Sequence, residues 1–296
     1  MSYSPDEGRV ALAAQSYTLR RDLPMEKFMR FPFALTLSLI LLVTPLPAAA
    51  EAPLLRCLVV ADVATGAVLH RDGDCATRMP PMSSFKLPLA IMGFDAGVLI
   101  DAHTPVWDLP EGEEPASHAP EIRKADAALW EEKSLVWFSR VLTAKLGMER
   151  FAAYASDFGY GNADVSGDPG RNNGLTQSWL MSSLAISPDE QVEFLRSFRL
   201  GQLPVSDRAV SMTETVIPTF LVGDWAVHGK TGTGYPVADG KPDRAHPLGW
   251  FVGWAAKDGR EVVFAMMQVD AARGGPALGP FLRGVVLEEL PGLLAK

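Results

Sequence analysis

Pro81-Met82-Ser83-Ser84-Phe85-Lys86 is the stretch on which the reading of this chain turns. If the segment is helical, Ser83 and Lys86 share a face, and the lysine nitrogen lies within reach of the hydroxyl. Serine is a weak nucleophile until a neighbouring base activates it. A chance S-x-x-K is expected about once in a chain of this length, so the spacing alone decides little. Its surroundings say more. Lys86 runs into Leu87, Pro88, Leu89, Ala90, Ile91 and Met92, and the next charge is Asp95. A lysine at so apolar a helix start is desolvated, which disfavours its ammonium form and makes the amine usable as a base or nucleophile. Pro80-Pro81 breaks the chain, and Pro88 is tolerated only near a helix start. The pattern therefore predicts a distorted first turn in a helix of about Ser83 to Gly97. Ser83 then sits at a helix N-terminus, where unpaired N–H groups favour an anion.

Three short motifs follow in order. Ser134-Leu135-Val136 reads either as a proton-relaying hydroxyl beside an apolar wall, or as a helix cap ahead of Trp137, Val141 and Leu142. Tyr160-Gly161-Asn162 taken alone is a turn. Lys230-Thr231-Gly232 follows a strand-like segment and precedes Thr233-Gly234, which suggests a strand edge with close backbone approach.

Around these motifs, residues 54–71 read as a β-hairpin turning at Thr65-Gly66. Residues 104–126 read as a polar surface excursion, and 169–175 as a loop. Helical patterns cover 134–146, 148–157 and 187–199, the last with Ser187 as cap, Pro188 at its first position and Glu190 at its third. Asp224–Gly229, Leu248–Ala256 and Glu261–Val269 read as strands, with a hairpin turn at Lys257-Asp258-Gly259-Arg260, and 279–295 as a closing helix. Strands, helices, strands and a final helix imply an α+β fold: an antiparallel sheet flanked by helices, with an all-helical region inserted between its strands.

The first 50 residues read as a signal peptide. Lys27 and Arg30 precede an apolar run from Phe31 to Leu46, and Ala48-Ala49-Ala50 supplies a cleavage pattern. The run is short and broken by Pro32 and Pro45, so a retained membrane anchor is the weaker alternative. Residues 1–24 lack secretory character, and Met25 and Met29 are alternative starts. Residues 51–296 then form one domain. The whole chain carries a net charge of −8 and the leader is net positive by one, leaving −9 on the domain. An acidic chain without a Lys/Arg run is a poor nucleic-acid binder. The five histidines form no metal-binding pattern, and neither cysteine has metal-site spacing, so no metal is expected. Export makes a Cys57–Cys75 disulfide the default, against two buried free thiols.

Together the motifs resemble the class D (oxacillinase-type) serine β-lactamases, whose pattern is P-x-S-T-F-K, S-x-V, Y-G-N, W and K-T-G. Here it is matched by Pro81 to Lys86, Ser134 to Val136, Tyr160 to Asn162, Trp179 and Lys230 to Gly232. Agreement extends to Trp250-Phe251-Val252-Gly253-Trp254 and to Ile186-Ser187-Pro188, spanning about residues 55 to 295. Ser84 stands where Thr is usual, and 235–247 is an extended loop. The resemblance implies a β-lactamase/transpeptidase-like fold and a periplasmic β-lactam hydrolase conferring antibiotic resistance, monomeric or homodimeric, with no stable membrane partner. Ser83 would be acylated. Lys86, carboxylated by CO2, would act as base, supported by Trp179 and Phe85. No other cofactor is implied. Ser134 and Lys230 would handle the leaving nitrogen, and the backbone N–H groups of Ser83 and Thr233 the oxyanion. Val136, Thr231, Gly232 and an arginine would contact substrate. Arg283 fits that arginine by its place in the last helix, Arg273 by simple spacing. Tyr160, Gly161 and Asn162 would shape the site. The competing readings are a β-lactam sensor domain or a DD-peptidase-type penicillin-binding protein, both acylated without rapid turnover; an inactive homologue is a third.

Overall fold

A computed structural model describes residues 52–295, so the signal-peptide expectation for 1–50 lies outside the described residues. In chain order the elements are β1 (Leu55–Asp62), β2 (Val68–Gly73), α1 (Lys86–Asp95), β3 (Trp107–Asp108), β4 (Lys124–Ala125), α2 (Ala127–Lys133), α3 (Val136–Leu146), α4 (Met148–Asp157), α5 (Gly174–Gln177), α6 (Pro188–Arg199), α7 (Asp207–Val216), β5 (Thr219–Val222), β6 (Trp225–Gly234), β7 (Val237–Ala238), β8 (Lys241–Pro242), β9 (Leu248–Lys257), β10 (Arg260–Val269) and α8 (Leu278–Leu294). A single 3-10 turn, Met82–Phe85, leads into α1.

Six strands form one antiparallel sheet in the order β2-β1-β10-β9-β6-β5. The first hairpin thus pairs with the last strand, and the helices α1 to α7 are inserted between β2 and β5, as the sequence pattern implied. The hairpin joining β9 and β10 turns through Asp258 and Gly259, both at positive φ (50° and 81°). That is the conformation a two-residue loop needs to match the twist of its strands. β9 is buried on both faces, which accounts for its unbroken apolar run from Leu248 to Ala255. One face of the sheet packs on the helical region and forms the larger core, with Trp250, Val252 and Trp254 beside Phe85, Phe198 and Trp179. The other face packs on α8 through Val227, Phe251, Phe264, Leu282 and Val286.

Several local expectations are extended by the structure. α3 begins at Val136, and Ser134 is the left-handed C-cap of α2 (φ 55°) rather than the cap of α3. Residues 169–175 run into α5 at Gly174, and the 235–247 loop contains the β7–β8 pair. β6 continues to Gly234, five residues beyond the expected strand end. Ser187 and Glu190 form a reciprocal capping box with Pro188 in the first turn. Cys57 and Cys75 are joined in a disulfide, Cα atoms 5.1 Å apart, tying β1 to the chain just after β2.

β6 has two different halves. Residues 225–228 pair with β5 on one side and, from Ala226, with β9 on the other. The ladder with β5 then stops at Pro218, whose carbonyl accepts from Gly229 N but which has no N–H to return. Lys230 to Gly234 therefore have β9 alone as a strand neighbour.

Candidate active site

The bare half of β6 lies against the 3-10 turn that carries Ser83. Met82 takes a left-handed backbone (φ 54°), and its N–H donates to the Trp179 carbonyl at 3.0 Å. Ser84 is buried, and both its N–H and its hydroxyl donate to the Pro81 carbonyl. Ser83 is left partly exposed. Its Oγ accepts from Lys86 Nζ at 3.1 Å, across the i to i+3 spacing read from sequence. Gly232 is required here, because a Cβ would stand 2.8 Å from the Pro81 carbonyl oxygen and 3.2 Å from Ser84 N. The glycine of K-T-G is thus what lets the strand approach the turn that carries Ser83.

Across the cleft, Lys230 Nζ donates to Ser134 Oγ at 3.0 Å. Ser134 reaches this place because it reverses the chain between α2 and α3. Lys86 is 1% exposed and Lys230 3%. Burial, with Lys230 nearby, pushes Lys86 down to about 7, and burial lowers Lys230 to about 8.

The floor is aromatic. Phe85 stacks on Trp179 at 5.8 Å and meets Tyr160 edge-on at 5.2 Å. Trp179 Nε1 and the neighbouring Ser178 Oγ are buried without a hydrogen-bond partner. The Tyr160 hydroxyl accepts from Gln191. Gly161, at φ +59°, is held so close to the Ala185 carbonyl that a Cβ would meet it at 2.1 Å. Asn162 receives the Ala185 N–H and donates to the Ser183 carbonyl. Tyr160-Gly161-Asn162 therefore fastens the 178–187 segment that presents Trp179. Val136 packs half-buried at the start of α3. Thr233 Oγ1 accepts from Gly279 N at 3.0 Å and anchors the start of α8.

The two candidate arginines fall on opposite sides of Thr233. Arg283 stacks over Phe220 and lines a cleft of about 250 Å³ with Glu131, Lys230 and Thr231. Arg273 stacks over Tyr235 and lines a cleft of about 550 Å³ with Met82, Met181 and Thr233. Sequence reasoning missed Glu131, fully buried in α2, and Met181 at the rim.

A serine with a buried lysine on its hydroxyl, and a second lysine on a second serine, is equipment for acyl transfer through a covalent ester. The family model for the penicillin-binding-protein transpeptidase domain matches residues 56–286. Beta-lactamase OXA-9 of Klebsiella pneumoniae is 48% identical over 246 residues, covering 82% of this chain and 90% of the relative. The chain belongs to the class D β-lactamases. Beta-lactamase OXA-1 of Escherichia coli is 38% identical over 70% of this chain and 74% of its own length. The crystal structure of OXA-427 class D β-lactamase superposes with a TM-score of 0.76 at 40% identity, covering 81% of this chain and 98% of that one. In this class D enzyme, the S-x-x-K, S-x-V and K-T-G motifs meet between the sheet and the helical region, and Tyr160-Gly161-Asn162 supports them from behind Phe85.

Proposed function

We propose that this class D β-lactamase is exported to the periplasm and protects its host by opening β-lactams through an ester on Ser83, with Lys86, carboxylated by CO2, as general base. The observation that carries the reading is Lys86: a buried lysine hydrogen-bonded to Ser83 Oγ in an aromatic pocket. Carboxylation needs a neutral amine, donors for the new anion and little water. Burial favours the neutral amine, and Trp179 Nε1, on the ring stacked against Phe85, is a buried donor lacking an acceptor, so the pocket fits. Once formed, a carbamate supplies an anionic base beside Ser83.

Ser83 Oγ gives up its proton on the Lys86 side and attacks the lactam carbonyl. The backbone N–H groups of Ser83 and Thr233 receive the oxyanion; losing one such donor costs other acyl-transfer enzymes ~3 kcal/mol. The ring C–N bond breaks, and its nitrogen takes a proton through Ser134, backed by Lys230. Water then attacks the ester, its proton leaves on the Lys86 side, and Ser83 is restored.

This order fixes the orientation of substrate on β6. The leaving nitrogen lies toward Ser134 and Lys230, so the substrate carboxylate lies beside Thr231 and Arg283, and the acyl side chain lies beyond Thr233 toward Tyr235 and Arg273. Arg283→Ala is accordingly expected to raise KM about tenfold for every β-lactam tested, the scale of a lost charge-assisted hydrogen bond. Arg273→Ala should leave KM for small-side-chain substrates within about twofold. The reverse pattern would exchange the two assignments.

The test is hydrolysis of a chromogenic cephalosporin by residues 51–296, in CO2-depleted buffer and again with bicarbonate. Fast turnover that rises with bicarbonate is expected, and Trp179→Ala should be slower and partly restored by bicarbonate. A stoichiometric burst without turnover in both buffers would favour the sensor or peptidase reading.

A further inference from the structure

α2 carries two consecutive glutamates with opposite surroundings. Glu132 is exposed and paired with Lys133, whereas Glu131 is 0% exposed and neither of its carboxylate oxygens has a hydrogen-bond partner. Burying a charged carboxylate costs several kcal/mol even after relaxation, and an apolar residue of similar volume fills such a place at less cost. Buried polar groups without partners are rare enough to need a reason. Glu131 sits one helical turn before Ser134 and lines the cleft shared by Lys230, Thr231 and Arg283. The proposed reaction asks opposite things of the two buried lysines. Lys86 must be free of its proton to serve Ser83, and Lys230 must stay cationic to hold Ser134 and attract a carboxylate. Two buried amines of the same chemistry do not divide those roles by themselves.

We infer that Glu131 is a positioning residue that divides them, its carboxylate holding Lys230 as the cation and leaving Lys86 as the lysine that releases its proton. The inference rests on the β-lactamase reading and deepens it. Burial pushes the Glu131 carboxyl up to about 7, and the attraction that opposes this is stronger from Lys230 than from Lys86. The charged groups nearest it are Lys86 of α1, Lys230 of β6 and Arg283 of α8, with Glu132 beside it on α2, while Lys124 of β4, which also packs on α2, is exposed and paired with Asp108. The charged side chains of α7, which also packs on α2, are turned elsewhere: Glu214 pairs with Arg199, Arg208 donates to the Ile100 carbonyl, and Asp207 is exposed in the first turn.

The experiment compares kcat/KM of wild type with Glu131→Gln across the neutral and alkaline range, using one chromogenic cephalosporin, alongside melting temperature. Without the carboxylate Lys230 loses its proton more readily. The alkaline limb is therefore expected to move down by about one pH unit, a loss of about tenfold above it. The melting temperature is expected to stay close to that of wild type, because relief from burying the carboxylate and loss of its attraction for Lys230 oppose each other. Glu131→Asp should return the limb toward wild type. A profile superimposable on wild type, or a uniform loss of activity at all pH with a lower melting temperature, would overturn the inference. Failure of both Glu131→Gln and Glu131→Met to fold would overturn it too, since Glu131 would then be holding the fold rather than dividing the two lysines. Wild-type protein that neither hydrolyses the probe nor is acylated by it would instead remove the β-lactamase reading beneath it.

Discussion

Ser83→Ala is expected to remove acylation and hydrolysis together. The variant keeps the 3-10 turn, since Met82 N, Ser84 N and Ser84 Oγ hold it through the Trp179 and Pro81 carbonyls without using the Ser83 side chain. No neighbour can replace the nucleophile. Ser84 is buried with its hydroxyl committed to Pro81, and Ser134 is engaged by Lys230. The fall in kcat should be roughly 10⁶-fold, the scale at which another acyl-transfer enzyme loses its serine. Mass spectrometry after incubation with a penicillin should show unmodified protein where wild type passes through an adduct. Surviving hydrolysis, or an adduct elsewhere, would reassign the nucleophile.

Lys86→Ala should be nearly as damaging but should fail differently. Lys86 Nζ donates to the Ser83 hydroxyl, and nothing else bonded to Ser83 Oγ can take its proton. A variant that still acylates slowly cannot activate water, so it accumulates the ester, and a stable mass adduct is the signature. The loss in kcat should be roughly 10⁴-fold, the upper range for general-base catalysis. The pH profile gives a second check. Burial lowers Lys86 from 10.5 to about 7, so wild-type activity should rise as pH climbs through that value and the amine becomes neutral. That acidic limb should vanish in the variant. Wild-type turnover in Lys86→Ala would exclude it as the base.

Much of this was legible from the chain because local rules and tertiary demands coincide. Asp258-Gly259 can be little other than a tight hairpin, and Ser187-Pro188-Asp189-Glu190 announces a helix start. Ser83 and Lys86 meet because their spacing is that of one helical turn. What escaped is what only packing decides. α2 and α7 begin at Asp126 and Ser206, whose side chains cap them, but each is short and sits beside loops rich in turn residues. β5 is four residues long and directly follows Pro218, which argues against a strand in any local reading. Glu131 and Glu132 are indistinguishable in sequence; that one is buried beside two lysines and the other solvated follows from how α2 is rotated against β6. The proposed preference for Arg283 over Arg273 likewise rests on where each lies along β6.

Pro218 has a consequence that reaches beyond the ladder it ends. A strand edge with unpaired backbone groups is normally a hazard, because any extended chain can add to it. By stopping β5 one residue short of Lys230, Pro218 opens such an edge on β6 where Ser83 and Ser134 face it. A substrate amide laid along residues 230 to 234 is in effect a guest strand, recognised through main-chain groups common to every ligand of its class. In the proposed orientation, recognition then begins in the sheet itself, and Arg273, Tyr235 and Met181 line the cleft beyond it.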